Sequence, residues 1–324
     1  MLTRRLFVTT ALAGLAAAAG STGTAFAQSK ELVYLTPGLD LAFWRYLSKG
    51  VENVAVEGGY QYQVLDSGNN AQKQLQNAKD AIARGVAGII ISPTDSSTAP
   101  AVLDLAKQAD IPVVIADIGT DSGEYVSFII SDNYQGANGV GKVLAEAMKA
   151  AGKQDKSVGI VGISQARLNG QARTKGFKDA LAEAGITKEA GLQQMQSYTA
   201  DETFKFTQDM TTANPDMGAI FVQTDGPTLG AIQAIKAARL TGEVLVAGFD
   251  GVPEFVPLLQ SGELLVSGMQ QPYLMGQESA RAMLAHLGGK APEKEVLVPI
   301  KIVTSSNIEQ ELPVIKETVF ANER

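Results

Sequence analysis

Short apolar runs alternate with longer amphipathic stretches along most of the chain. The runs Leu32–Thr36, Gln63–Asp66, Gly88–Ser92, Val113–Ala116, Val158–Gly162, Ala219–Val222, Val244–Gly248 and Leu264–Gly268 predict strands. The intervening stretches predict helices at Ala42–Glu57, Ala71–Arg84, Thr98–Ala109, Tyr134–Ala151, Gly170–Ala184, Asp201–Thr212 and Thr228–Ala238. The last helix is expected near Tyr273–His286. Alternation of this kind builds βαβ units and parallel sheets. Such strands are covered on both faces, which suits continuous runs like Ile89-Ile90-Ile91. A weak internal echo points to two similar halves: Gly88-Ile-Ile-Ile-Ser-Pro-Thr-Asp95 parallels Gly218-Ala-Ile-Phe-Val-Gln-Thr-Asp225. Each is followed by a helix and a strand ending in Asp, at Asp117 and Asp250. The expected fold is α/β, with two doubly wound, Rossmann-like lobes that bind ligand at the carboxyl ends of their strands.

The first stretch breaks this pattern. Thr3-Arg4-Arg5-Leu6-Phe7 leads into an uncharged Ala/Leu-rich run and then Ala25-Phe26-Ala27. A basic start, an apolar middle and small residues at the end predict an export signal over 1–27. The paired arginines point to the twin-arginine route. The apolar run is too short and too rich in Gly and Ala for a membrane span of ~30 Å. The expected product is a soluble, exported protein located in the periplasm.

The composition is that of a globular protein, 45% hydrophobic and 19% charged. The net charge is −7, and the leader's only charges are Arg4 and Arg5, so the remainder is more acidic still. An acidic chain without a basic run argues against nucleic acid and anionic membrane surfaces as partners. No Cys is present, so packing rather than disulfides must hold an exported chain together.

Catalytic candidates are few. His286 is the only His, and its place near a helix end suits the dipole better than chemistry. Gly136-Ala-Asn-Gly-Val-Gly141-Lys142 has nearly the spacing of a phosphate loop, but Val143 stands where a Mg²⁺-binding hydroxyl is needed. No G-x-G-x-x-G follows the first strand, so no dinucleotide cofactor is expected. With one His and no Cys, no dense metal site is expected either.

The predicted strand ends offer contacts suited to a polyol instead. Phe43 and Trp44 present aromatic faces for sugar C–H groups. Asp117 and Asp250 can each accept from neighbouring hydroxyls. Arg173 supplies a planar fork of donors, and Gln270 donates and accepts at once. Each has a plainer reading: core for the aromatics, helix caps for the acids, a surface ion pair for Arg173. An exported carbohydrate-active enzyme, with Asp117 and Asp250 as its carboxylate pair, also stands open.

Eight stretches carry a resemblance over nearly the whole chain after the leader. They are F-W-R-Y-L-S-K-G-V from Phe43, V-L-D-S-G-N-N from Val64, I-S-P-T-D from Ile91, I-P-V-V-I-A-D from Ile111, S-D-N from Ser131, A-R-T-K-G-F from Ala172, A-N-P-D from Ala213 and V-A-G-F-D-G from Val246. Together they resemble the ribose-type, type I periplasmic sugar-binding proteins of ABC transporters. The resemblance implies two lobes joined by a three-stranded hinge, with crossings near Ser131–Asp132, Gln270–Gln271 and Val298–Ile300. One lobe would take 28–131 plus 271–299, the other 132–270 plus 300–324. It further implies capture of a monosaccharide or sugar alcohol in the interlobe cleft, no enzymatic activity, a monomer, and delivery to a membrane ABC permease docked through both lobes. A chemoreceptor or kinase partner would leave the same sequence. The family's contact positions fall on Phe43, Trp44, Ser92, Asp117, Arg173, Tyr198, Thr224, Asp250 and Gln270, with Asp40 and Asn169 added to the candidate set. Three departures separate this chain from the ribose pattern. Ile118 stands where Arg usually follows the anchoring Asp. Pro37 and Leu41 replace small polar residues. Thr224 stands where Asn is usual.

Overall fold

The computed structural model describes residues 30–321; the expected export segment 1–27 lies outside the described residues. In chain order, β1 (Glu31–Thr36), α1 (Ala42–Glu57), β2 (Gln61–Asp66), α2 (Ala71–Ala83), β3 (Gly88–Ile91), α3 (Ala99–Gln108), β4 (Val113–Ala116) and β5 (Ser127–Ser131) come first. Next are α4 (Asn133–Ala150), β6 (Ser157–Gly162), α5 (Leu168–Glu183), β7 (Glu189–Gln194), α6 (Ala200–Ala213), β8 (Met217–Val222), α7 (Asp225–Ala237), β9 (Leu245–Phe249), α8 (Phe255–Ser261) and β10 (Val266–Met269). The chain ends through α9 (Pro272–Leu287), β11 (Glu295–Val298), β12 (Lys301–Thr304) and α10 (Ile308–Thr318).

Two six-stranded sheets result, ordered β11-β5-β4-β3-β1-β2 and β12-β10-β9-β8-β6-β7. Every pairing is parallel except β10 with β12. Period-two alternation sends strand side chains to two faces. In the first sheet Leu32, Tyr34, Ile90 and Val114 pack under α1 and α9, while Val33, Leu35, Ile89 and Val113 pack under α2 and α3. In the second, Ile160, Phe221 and Phe249 face α4 and α5, and Val161, Ile220 and Val246 face α6 and α7. The molecule is thus an α/β protein of two lobes.

The strand order reverses direction beside β1 in one sheet and beside β6 in the other. Crevices open at such switch points, at the carboxyl ends of the strands. The chain leaves the first sheet after β5, returns between β10 and α9, and crosses once more between β11 and β12. Tyr46 and Ala42 of α1 belong to the apolar cluster of the second lobe, beside Val252 and Met269. Lys49 Nζ also donates to the Ala321 carbonyl at 2.8 Å. The lobes are closed on each other.

Several elements differ from the expectation. α10 follows α9, so the helix near Tyr273–His286 is not the last. Its amphipathic pattern is short and carries Pro313 inside it, which reads as a breaker in sequence. β7 is an edge strand, half exposed, with Gly191 at φ 113°, so it lacks the apolar run that marks buried strands. The Gly136–Lys142 stretch, by contrast, lies inside α4, where the expected helix Tyr134–Ala151 puts it. Its glycines serve packing: a Cβ on Gly141 would lie 2.8 Å from Ala180 Cβ, and one on Gly136 2.5 Å from Ile300 Cδ1.

Candidate functional site

The carboxyl end of β1 runs through Pro37–Leu41 into α1, which places Phe43 and Trp44 at the mouth of the crevice. Their rings meet edge to face, centroids 4.8 Å apart at 84°, a favourable geometry for two quadrupoles. Both are buried, at 3% and 5% exposure.

Two aspartates face this wall from strand ends. Asp117 follows β4 with φ 64°, and Ile118 N–H closes back on the Ala116 carbonyl at 2.8 Å. Such a three-residue turn with positive φ is rare and costly outside glycine. It aims the carboxylate into the crevice, where Oδ2 accepts from Asn169 Nδ2 of the other lobe at 2.9 Å. Burial pushes the Asp117 carboxyl up to about 6, against the pull of Arg173. Asp250 follows β9 with φ 60°. Its Oδ1 accepts from Gln270 Nε2 at 2.8 Å, and its Oδ2 from Thr224 Oγ1 at 3.1 Å. Tyr198, with φ 56°, is a third site residue in the left-handed region.

Arg173 projects from the first turns of α5. It donates from Nε to Asn133 Oδ1 at 2.7 Å and from Nη1 to the Gln223 carbonyl at 2.6 Å. Nη1 also lies 3.5 Å from Asp250 Oδ2, and the guanidinium sits 4.2 Å from the Phe249 ring centroid. The fork is therefore held rigidly before any ligand is considered.

These groups surround one small cavity between the lobes. Nine of the eleven expected residues line it: Phe43, Trp44, Asp117, Asn169, Arg173, Tyr198, Thr224, Asp250 and Gln270. The other two do not. Asp40 is exposed in the turn before α1, where its carbonyl accepts from Arg45 Nη1 at 2.8 Å. Ser92 is fully buried behind the wall, its hydroxyl engaged with Tyr34 OH at 2.9 Å. Leu41, Ile163 and Arg167 line the cavity without having been anticipated. Leu41 sits in the replaced polar stretch, whereas Arg167 carries no local signal.

The wall is balanced in charge, Asp117 and Asp250 against Arg167 and Arg173. Among the described residues, three buried oxygens on it have no hydrogen-bond partner: Asp117 Oδ1, Asn169 Oδ1 and Gln270 Oε1. All three are acceptors. An unpaired buried acceptor costs roughly 1–3 kcal/mol, so this wall favours a neutral guest that brings several donors. Among the described residues no group of three or more His, Cys, Asp or Glu could hold a metal ion.

A fold of two doubly wound lobes closed on a small polar cavity defines a clamshell solute-binding protein. Residues 32–291 match the family model for the periplasmic binding protein domain. The ribose import binding protein of Escherichia coli is 32% identical over 289 residues, covering 89% of this chain and 95% of its own. The D-apiose import binding protein of Actinobacillus succinogenes is 28% identical over 87% of this chain and 90% of its own. A carbohydrate transporter solute-binding protein from Agrobacterium radiobacter, solved with D-arabinose, superposes with a TM-score of 0.84 at 26% identity, covering 91% and 99% of the two chains. The myo-inositol binding protein of Caulobacter gives 0.79 at 26% identity, covering 87% and 95%. The chain belongs to the periplasmic binding protein family, among its type I sugar-binding members, which are transport proteins and not enzymes.

Proposed function

We propose that this protein captures a neutral monosaccharide or sugar alcohol between its lobes and hands it to an ABC permease. The observation that carries this reading is the trio of unpaired buried acceptors, Asp117 Oδ1, Asn169 Oδ1 and Gln270 Oε1, on a wall that also holds Phe43 and Trp44. Hydroxyls supply the missing donors, and the rings cover the C–H face of the guest. The nine cavity residues are the ligand contacts in this reading. The relatives support the class, since three are named for ribose, apiose and myo-inositol and one was solved with D-arabinose. Leu41 at the wall and Ile118 in the core remove polar partners that the ribose pattern has, so the guest is a different pentose, a deoxysugar or a polyol.

The remaining parts of the reading are cellular. The leader exports the chain by the twin-arginine route, and the protein works as a periplasmic monomer. Its lobes are 28–131 plus 271–299 and 132–270 plus 300–324, and the permease docks on both. Trp44 is the only Trp, so its emission reports the cleft directly. Titration with a panel of neutral pentoses, deoxysugars and polyols is expected to change that emission and raise the melting temperature for at least one of them. Native mass spectrometry of the purified protein is expected to show the same compound retained. A panel that changes neither emission nor melting temperature overturns the proposal.

A further inference from the structure

Two side chains of the second lobe leave their own lobe and end on the first. Arg167 precedes α5 and is 4% exposed. Its Nε donates to the Thr94 carbonyl at 2.8 Å, and its Nη2 to Asn69 Oδ1 at 3.1 Å. Among the described residues no carboxylate lies within ion-pair distance of it, so this buried cation is held by neutral acceptors of the opposite lobe, by the Tyr198 ring 5.1 Å away and, at longer range, by the first-lobe carboxylates Asp117 and Asp95. A buried charge without its partners is expensive. When the lobes part, those acceptors leave and water must replace them.

The second side chain is Asp225, fully buried at the start of α7. Helix α1 has Leu41 at its N-cap position, no side-chain cap and no acid in its first turn. The exposed N–H groups and positive dipole end are therefore unmet within the first lobe. Asp225 Oδ2 meets one of them from the second, accepting from Phe43 N at 3.1 Å. The capped residue is the first member of the aromatic wall. Asp225 also shares one hydroxyl with the ligand-facing Asp250: Thr224 Oγ1 lies 3.4 Å from Asp225 Oδ1 and 3.1 Å from Asp250 Oδ2.

We propose that Arg167 and Asp225 form a two-point latch that holds the lobes shut over the cavity and sets the rate at which the guest escapes. The inference rests on the capture of a small neutral guest proposed above. Arg167 pins the loops after β2 and β3, and Asp225 pins the start of α1. Both are positioning residues: their bonds are made between lobes, in the closed form.

The test separates rates. Arg167→Met keeps the aliphatic stem and removes the donors. Asn69→Gly removes the acceptor from the other lobe, outside the cavity wall, at a residue whose φ of 54° glycine adopts freely. Both variants, and Asp225→Ala, are expected to raise the dissociation rate of a bound sugar roughly 10- to 100-fold, read by stopped-flow Trp44 emission, with the association rate changed less than threefold. Arg167→Lys is expected to recover part of the loss. Small-angle scattering is expected to show a larger mean radius for Arg167→Met than for the unaltered protein, with or without sugar, which tests the latch even where a variant binds too weakly to follow. If the unaltered protein binds a sugar, and Arg167→Met and Asn69→Gly release it at the unaltered rate with unchanged scattering, the latch is wrong and the binding function stands. If no sugar binds the unaltered protein, the functional reading fails, and scattering alone then decides the latch.

Discussion

Asp117 and Asp250 show how a single residue is made into an anchor. Each ends a buried strand, each holds a φ near +60°, and each spends one carboxylate oxygen on a neighbouring amide. The difference lies in what is left over. Asp250 is filled by Thr224, Gln270 and Arg173, whereas Asp117 keeps an unpaired Oδ1. Asp117→Ala is therefore expected to weaken sugar binding by about 1–3 kcal/mol, measured by titration calorimetry, and unchanged affinity would place the site elsewhere. Trp44 has two jobs, since it lines the cavity and also belongs to the apolar cluster over the first sheet. Trp44→Ala is expected to cost about 1.5–3 kcal/mol of affinity and to lower the melting temperature as well; Trp44→Phe should restore most of the stability. A binding loss with no change in melting temperature would contradict the buried position. Strand-end acids and the adjacent aromatics were legible in sequence because each sits at a fixed place relative to an apolar run. Arg167 and Asp225 were not: their partners lie on the other lobe, and no spacing along the chain records that. Asp225 even stood inside the Thr-Asp echo without its role being visible.

At the scale of elements, the site depends on helices that touch through glycine. Gly176 of α5 faces the Tyr134 carbonyl of α4, where an added Cβ would lie at 2.2 Å, and Gly276 of α9 faces the Leu47 carbonyl of α1 at 2.0 Å. Those contacts set where α5 carries Arg173 and where α1 carries Trp44. Backbone cannot yield as a flexible side chain can. Gly176→Ala and Gly276→Ala are expected to destabilise the protein by about 1–3 kcal/mol or more in denaturant unfolding, and to weaken sugar binding through the displaced helix. Gly226→Ala, where a Cβ meets nothing within 4 Å, is the control and should leave both unchanged within about 1 kcal/mol. The long helices were legible because burial on one face imposes a 3.6-residue repeat. Edge strand β7 was not, because its exposed face breaks the apolar run. α10 was lost to Pro313, which a partly exposed helix tolerates when fixed by buried Ile308 and Ile315.

For the whole molecule, closing two lobes over acids stores a dependence on pH. Burial pushes both Asp117 and Asp225 up to about 6 from an ordinary 3.8; Asp250 adds to the rise at both, and Arg173 and Arg167 oppose it at Asp117. A raised acid holds its proton in the folded state over a range where the unfolded chain has released it. Stability from these two groups is therefore fully present below about pH 4, and falls as pH rises towards 6. One pH unit per group corresponds to about 1.4 kcal/mol, so lowering the pH from 7 to 5 should raise the melting temperature of the sugar-free protein by several degrees. Sugar reverses the sign at Asp117. A hydroxyl donating to Oδ1 favours the carboxylate, so binding near pH 6 releases protons and the affinity falls as the pH drops below it. Calorimetry in buffers of different ionisation enthalpy is expected to show that release, and Asp117→Asn is expected to abolish it. A sugar-free melting temperature that is flat or lower at pH 5 than at pH 7 would mean that these two carboxyls are better solvated than their burial implies, and that the lobes spend most of their time apart.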